Sequence, residues 1–357
     1  MQKDITIIIP TFKRHKILQK FLKYWKKQNV NVIIVDGSPR SLFGNLKVKR
    51  FENICYYHLP KSLEERLCFV SHKITGKYAA LISDDEIFLA SGLFEACKVL
   101  RQDNKIGSVL GATLAFKKRN SKVLFKIEYE SILDLKIKSA AWEKRIDERF
   151  YVTGNSVVYS LVRAEILKHA LAFIGEHKYS CPFIAEYQME VFLAAAAPIK
   201  VIPTLMWLRN RNDESTKAFT YNRKAFFHKW IKDPKKSKEI NLLKTSFLET
   251  FRFILNKNIS STQQLLEKIT DFEERSLGVS HKKKTLNKIC EIILHLFKNI
   301  SRSNKKDTKP FFWQSLEDVY KDLKYLKIKF HPKELKKIKV YLQHFLKNET
   351  EKKKKHE

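Results

Sequence analysis

Along the first third of the chain, short apolar runs alternate with segments whose apolar residues recur every three or four positions. ITIIIP (Ile5–Pro10) is β-branched and apolar on both faces, the mark of a strand covered on both sides. Lys13–Lys27 follows with Ile17, Leu18, Phe21, Leu22 and Trp25 at helical spacing. VNVIIVDG (Val30–Gly37) predicts a second buried strand, ICYYHL (Ile54–Leu59) a third and KYAALIS (Lys77–Ser83) a fourth. Ser62 is placed to cap a helix running to Ile74, and Glu65 completes the S-x-x-E capping box. A helix over Ser91–Arg101 and a strand over Gly107–Phe116 extend the series. Strands alternating with helices predict an open, mainly parallel sheet covered on both faces.

The pattern loosens downstream. Arg149–Ser160 carries Gly154-Asn155 before a strand-like VVY, and a helix is expected through Leu167. Cys181–Ala197 reads as a helix bearing Glu186 in its first turns, and Ile199–Arg209 as a final extended segment. Beyond Thr220 only helical stripes remain: Leu242, Leu243, Phe247, Phe251 and Ile254; then Leu265, Leu266, Ile269 and Phe272; then Leu286 to Ile300. Two more amphipathic helices are expected over Ser315–Lys329 and Lys333–Lys347, after a linker-like stretch at Ser301–Pro310. The expected organisation is an α/β domain over 1–220 followed by a basic, all-α region over 221–357.

The chain has 357 residues, enough for two domains with a sizeable core. Five cysteines stand far apart without a CxxC or a Cys/His cluster, which excludes a zinc-finger pattern and argues against a disulfide framework. A cytoplasmic location is expected: the first strand starts almost at Met1, and no apolar run approaches the ~20 residues of a membrane span. The formal net charge is +32. Residues 1–220 hold 36 Lys/Arg and 22 Asp/Glu, giving +14, and the remaining 34 and 16 give +18 over a shorter length. That balance points to anionic partners: nucleic acid, an anionic membrane surface, or phosphate-bearing substrates. No helix-turn-helix, RRM or KH signature supports nucleic acid, and the aromatics of the basic region lie on apolar stripes. HKKKTLNKICEIILHLFKNI (His281–Ile300) suits either a packed bundle helix, an oligomer contact or peripheral attachment to a membrane.

Three polar features fall where the expected strands end: Pro10-Thr11, Asp36, and the triplet Asp84-Asp85-Glu86. In open α/β sheets ligands bind outside the carboxyl ends of the strands. Unit charges about 4 Å apart cost about 4 kcal/mol at an effective dielectric near 20, so three adjacent carboxylates call for a compensating cation or for solvent. Two hard oxygen ligands from one short segment suit Mg²⁺ or Mn²⁺ shared with substrate phosphates. If the strand persisted through the triplet, Asp84 and Glu86 would share a side and Asp85 would face the other.

ITIIIPTFKR, VIIVDGS, LEERL and KYAALISDDEIF, in that order, resemble the nucleotide-sugar half of a GT-A-fold glycosyltransferase of the family 2 type, over about residues 4–210. The resemblance implies a GT-A-like Rossmann-type mixed sheet flanked by helices, a nucleotide-sugar donor and a divalent metal. It implies that Pro10, Thr11 and Arg14 border the nucleotide pocket, that Asp36 contacts base or ribose, and that Arg66 lies near the nucleotide. Asp84 and Glu86 would flank the metal, with Asp85 also at the donor. The family's usual acidic motif ends in Asp where this chain has Glu86. A general base near the start of a helix in the second half matches Glu186 in FIAEYQMEV, with Glu190 as the substitute. Trp207, Arg209 and Arg211 follow the last strand and are candidates to sit over the diphosphate, with a solvated basic edge as the alternative. His15, His58 and His72 show no ligand spacing and read as surface or packing residues. The expected reaction transfers a sugar, with inversion, to a glycan, lipid-linked or protein acceptor.

Overall fold

The computed structural model describes residues 4–44, 46, 48–119, 122–151, 157–175, 179, 182–212, 233–243, 246 and 312–353. The Gly154-Asn155 pair, the apolar stripes within 247–300 and the linker-like stretch at 301–310 lie outside the described residues. Among the described residues the fold is α/β, built on a mixed sheet of ten strands. In chain order the strands are β1 (Ile5–Thr11), β2 (Asn31–Asp36), β3 (Val48–Phe51), β4 (Ile54–His58), β5 (Tyr78–Leu81), β6 (Ile87–Phe88), β7 (Ser108–Arg119), β8 (Lys122–Glu128), β9 (Leu161–Arg163) and β10 (Ile199–Asn210). The helices are α1 (His15–Trp25), α2 (Leu63–Ser71), α3 (Ala90–Gln102), α4 (Trp142–Tyr151), α5 (Ala164–Gly175), α6 (Pro182–Ala196), α7 (Leu316–Tyr325) and α8 (Pro332–Lys353).

The spatial order is β3-β4-β2-β1-β5-β9-β7-β10-β6, with β8 against β7. The block β4-β2-β1-β5 is parallel throughout, as the continuous apolar runs of those strands require for burial on both faces. Antiparallel pairs frame it: β3 on β4, β9 on β5 and β7, β8 on β7 and β6 on β10. Register across the parallel block aligns Thr11 with Asp36 and Asp36 with His58, so one line of the sheet edge gathers three strand ends.

Local signals hold. Ser62 caps α2, accepting from the Glu65 N–H while Glu65 reaches back to the Ser62 N–H. The segment VVY (Val157–Tyr159), expected as a strand, forms a 3₁₀ turn, and the adjacent strand is β9 at Leu161–Arg163.

Two apolar cores cover the two faces. One gathers Ile7, Phe21, Trp25, Phe88, Phe116 and Trp207; the other gathers Val35, Leu67, Leu171, Ile184 and Phe192. The first core also takes in Leu316, Val319 and Leu323 of α7 and Leu335, Ile338 and Leu342 of α8. The C-terminal helices thus pack on the sheet itself. Among the described residues, no helix is long and apolar enough to cross a membrane.

Candidate active site at the carboxyl edge of the sheet

The chain leaves β1 at Thr11 and turns through Lys13, whose φ of 56° places a non-glycine residue in the left-handed region. The Lys13 N–H donates to Ser38 Oγ at 2.7 Å, which ties this turn to the segment after β2. Arg14 then stands just ahead of α1, a position with no side-chain cap of its own. Its guanidinium meets Asp84 Oδ1 at 2.9 Å and Asp85 Oδ2 at 2.5 Å. Thr11 Oγ1 donates to Asp84 Oδ2 at 2.6 Å, and Asn210 at the end of β10 donates to Asp85 at 3.3 Å. Ser83 Oγ donates to the other Asp85 oxygen at 2.8 Å.

Glu86 has a different neighbourhood. The strand does not persist through the triplet: residues 84–85 form a turn, with the Glu86 N–H donating to Ser83 O at 3.3 Å. Asp84 and Asp85 therefore meet the same guanidinium, while Glu86 accepts from Trp207 Nε1 at 2.9 Å and lies 3.7 Å from Arg209. Burial, reinforced by the neighbouring Asp85 charge, pushes the Glu86 carboxyl up to about 8 against the opposing pull of Arg209 and Trp207. Trp207 is stacked between Tyr159, at 4.4 Å, and Tyr129, at 6.3 Å, and Arg209 covers the Tyr129 and Trp207 rings. Arg211 is held in a fork by Glu128, with its Nη2 at 2.7 Å.

Asp36 is fully buried at the end of β2. Its carboxylate accepts from Tyr56 Oη at 2.6 Å and from the Ser38 N–H at 2.8 Å, and His15 Nε2 lies 2.6 Å away. Burial pushes this carboxyl up, but the bonds from Ser38, Tyr56 and His15 outweigh it and hold it below the ordinary range. His58 Nε2 bonds Ser38 O at 2.7 Å. Two histidines read from the sequence as surface or packing residues thus stand at the edge beside Asp36. The signal that locates His58 is its register opposite Asp36; His15 is visible only as the first residue of α1.

Arg66 lies beneath this edge. Its Nη1 donates to the carbonyls of Thr11 at 2.7 Å and Val35 at 3.1 Å, and its Nε to those of Lys61 and Ser62. It joins the ends of β1 and β2 to the start of α2, and burial lowers its pKa. Gly37 is required here, because a Cβ at that position would come within 2.6 Å of Arg66 Nε.

Pro10 is the penultimate residue of β1, aligned with Val35. Glu186 is half-buried in the second turn of α6, and no acidic residue occupies that helix's first turn. Glu190, one turn on, is buried and bonded to Arg149 at 2.5 Å. Among the described residues, no group of three or more His, Cys, Asp or Glu side chains is gathered as ligands around one point.

No family model matches the chain, and no curated protein sequence matches it. Among solved structures the chain is similar to S. aureus TarS 1-349 in complex with UDP-GlcNAc, at 14% identity and a TM-score of 0.44, over 83% of this chain and 89% of that one. It is similar to the longer S. aureus TarS structure at 12% identity and a TM-score of 0.41, over 85% of this chain and 56% of that one. It is also similar to the mannosyltransferase PcManGT from Pyrobaculum calidifontis in complex with GDP-Man and Mn2+, at 11% identity and a TM-score of 0.41, over 86% of this chain and 89% of that one.

Proposed function

We propose that the protein is a metal-dependent glycosyltransferase of the GT-A, family 2 type, moving a sugar from a nucleotide-diphosphate donor to a hydroxyl of a glycan, lipid-linked or protein acceptor with inversion. One observation carries the reading. Thr11, Arg14, Asp84 and Asp85 meet at the carboxyl edge of β1 and β5, with Asp36 aligned with Thr11 on β2. That is where an open α/β sheet takes its ligand. It is also the order of motifs on which the sequence resemblance rests.

A divalent cation, Mg²⁺ or Mn²⁺, is the implied companion of the acidic turn. The donor set fits: two hard carboxylates already converge on one cationic group, the Arg14 guanidinium, as they would on such an ion. Asp84 and Asp85 would hold it together with substrate phosphate. Glu86, claimed by Trp207 and Arg209, suits that duty less well than its place in the motif implies. When bound, the ion neutralises charge developing on the diphosphate leaving group.

The chain's own residues take the remaining roles. Asp36 offers a buried, ionised acceptor for base or ribose, and Arg14 a cation for the phosphates. Arg66 keeps the backbone of the pocket floor in place rather than touching the nucleotide. Glu186 accepts the proton of the acceptor hydroxyl as its oxygen bonds the anomeric carbon. The bond from that carbon to the diphosphate oxygen breaks, and the nucleoside diphosphate leaves with the electron pair. An α/β catalytic unit over 1–220 and a basic helical region over 221–357 remain part of the proposal. So does peripheral contact of that region with an anionic membrane.

Calorimetric titration with UDP, GDP and CMP, with and without Mn²⁺, tests the reading on the full chain and on Asp84→Ala. Metal-dependent binding of one nucleotide, lost in the variant, is expected. A folded protein that binds none of the three overturns it.

A further inference from the structure

Glu334 is about 250 residues from the acidic turn in sequence, yet it bonds the helix that follows that turn. α3 begins at Ala90, immediately after β6 and Leu89. Its capping position is Leu89, which offers no side-chain bond, and its first turn contains no acidic residue. A helix start leaves four backbone N–H groups without helical partners and carries a partial positive charge. Glu334, in the first turn of α8, supplies what α3 lacks. Its Oε1 accepts from the Ala90 N–H at 2.9 Å and its Oε2 from Ser91 Oγ at 2.5 Å.

The same C-terminal segment grips other site-bearing elements. Lys329 pairs with β10 through two backbone bonds, its N–H to Pro203 O at 2.7 Å and its carbonyl from the Leu205 N–H at 2.8 Å. β10 goes on to carry Trp207, Arg209 and Asn210, which contact Glu86 and Asp85. Gln314 and Phe125 exchange backbone bonds at 2.9 Å, which ties the segment to β8 just upstream of Glu128. Tyr341 Oη donates to Lys20 O on α1, the helix that starts beside Arg14. Tyr24 on that helix donates to Phe88 O of β6 at 2.8 Å, and its ring lies 6.2 Å from that of Tyr341. Of the elements that meet the acidic turn, α1, α3 and β10 are thereby fastened to residues 314–341, whereas β1 and β5 meet it from the parallel block.

We propose that Glu334 is a positioning residue for the acidic turn, and that α7 and α8 form a clasp fixing the spacing of Asp84 and Asp85 against β10. This rests on the transferase reading for its consequence in binding, but not for its consequence in structure. The upstream end of the turn is set by β5 in the parallel block. The downstream end runs through β6, only two residues long, into a helix start with no cap of its own. Beyond the pairing of β6 with β10, a carboxylate delivered from α8 caps that end.

The test uses the full chain and four variants: Glu334→Ala, Glu334→Gln, Ala90→Pro, and Glu334→Ala combined with Ala90→Pro. Proline at the first helical position removes the donor that Glu334 satisfies, and Leu89 already has the extended backbone that a following proline needs. Each variant is checked for folding by far-ultraviolet circular dichroism. Amide exchange over residues 84–92 is then measured, together with the affinity for the Mn²⁺–nucleotide that the wild type binds. Glu334→Ala is expected to raise exchange over 84–92 and weaken binding roughly tenfold. Glu334→Gln should lie between, and Ala90→Pro should restore part of the loss in the double variant. Unchanged exchange, or raised exchange with unweakened binding in Glu334→Ala, overturns the proposal. A wild type that binds no nucleotide removes the transferase reading instead, and the exchange result then decides the clasp alone. Global misfolding of Glu334→Ala leaves the decision to Glu334→Gln and the double variant.

Discussion

Arg14 reaches Asp85 at 2.5 Å from the loop after β1, and Arg149 reaches Glu190 at the same 2.5 Å between α4 and α6. The distances match and the surroundings do not. The Arg14 side chain is 27% exposed and bridges two carboxylates at the sheet edge, whereas Arg149 and Glu190 are 8% and 4% exposed inside the second core's helical layer. A partly hydrated cation can exchange one anion for another at small cost, because water takes up the charge in between. A buried pair cannot, because losing either member strands a charge in a medium that solvates it poorly. The first arrangement suits a site that must open for a ligand. The second fastens α4 to the helix bearing Glu186, with Arg145 adding bonds to the Ala194 and Ala195 carbonyls at that helix's C-terminus.

This contrast breaks or sharpens under mutation, most strongly at the buried pair. Arg149→Ala is expected to lower unfolding free energy by about 3–5 kcal/mol, read as a shift in the urea midpoint. A loss below about 1 kcal/mol would make the two ion pairs equivalent and end the comparison. Asp36→Asn is next, at about 1.5–3 kcal/mol near neutral pH, because its partners lose a charged acceptor. Its pH dependence has a definite sign. The folded-state pKa lies below the ordinary carboxylate value of 3.8, so the ionised group stabilises the fold above that value. That stability drains away as the pH falls through the lower folded pKa. Unfolding curves between pH 5 and about pH 2 should therefore be steeper for the wild type than for Asp36→Asn.

Asp84→Asn should change stability by no more than about 1 kcal/mol, since the partly exposed Arg14 keeps Asp85. Its affinity for the Mn²⁺–nucleotide should nonetheless fall at least about tenfold, or about 1.4 kcal/mol by calorimetry. Arg14→Ala is expected to be mildest in stability, below about 1 kcal/mol. It leaves two carboxylates without their cation, so Mn²⁺ alone should raise its melting temperature more than that of the wild type. Equal shifts in the two proteins would indicate that Asp84 and Asp85 do not hold the ion.

The legible parts of this molecule are those that neighbours along the chain decide. ITIIIP and NVIIVD are apolar on both faces, so only a strand buried on both sides satisfies them, and they form β1 and β2 of the parallel block. Ser62 and Glu65 are three residues apart, and the capping box they spell forms as written. β8 is missing from the expected elements although its signal is present: KVLFKIE alternates, and Val123, Phe125 and Ile127 are buried while Lys122 is exposed. β6 has no such signal, because two residues carry no periodicity and owe their strand pairing to β10.

At the candidate site the sequence placed Thr11, Asp36 and the acidic triplet at strand ends, because strand ends follow from apolar runs. It did not determine which carboxylates share a cation. That depended on a turn at Asp84-Asp85 and on Trp207 and Arg209 arriving from β10, more than 120 residues away, to claim Glu86. His15 and His58 look ordinary in one dimension and meet near Asp36 only through the register of β1, β2 and β4. The stripes of α7 and α8 announced that each helix must bury a face. An apolar stripe specifies area and not partner, so only the tertiary structure could deliver Glu334 to α3 and Lys329 to β10.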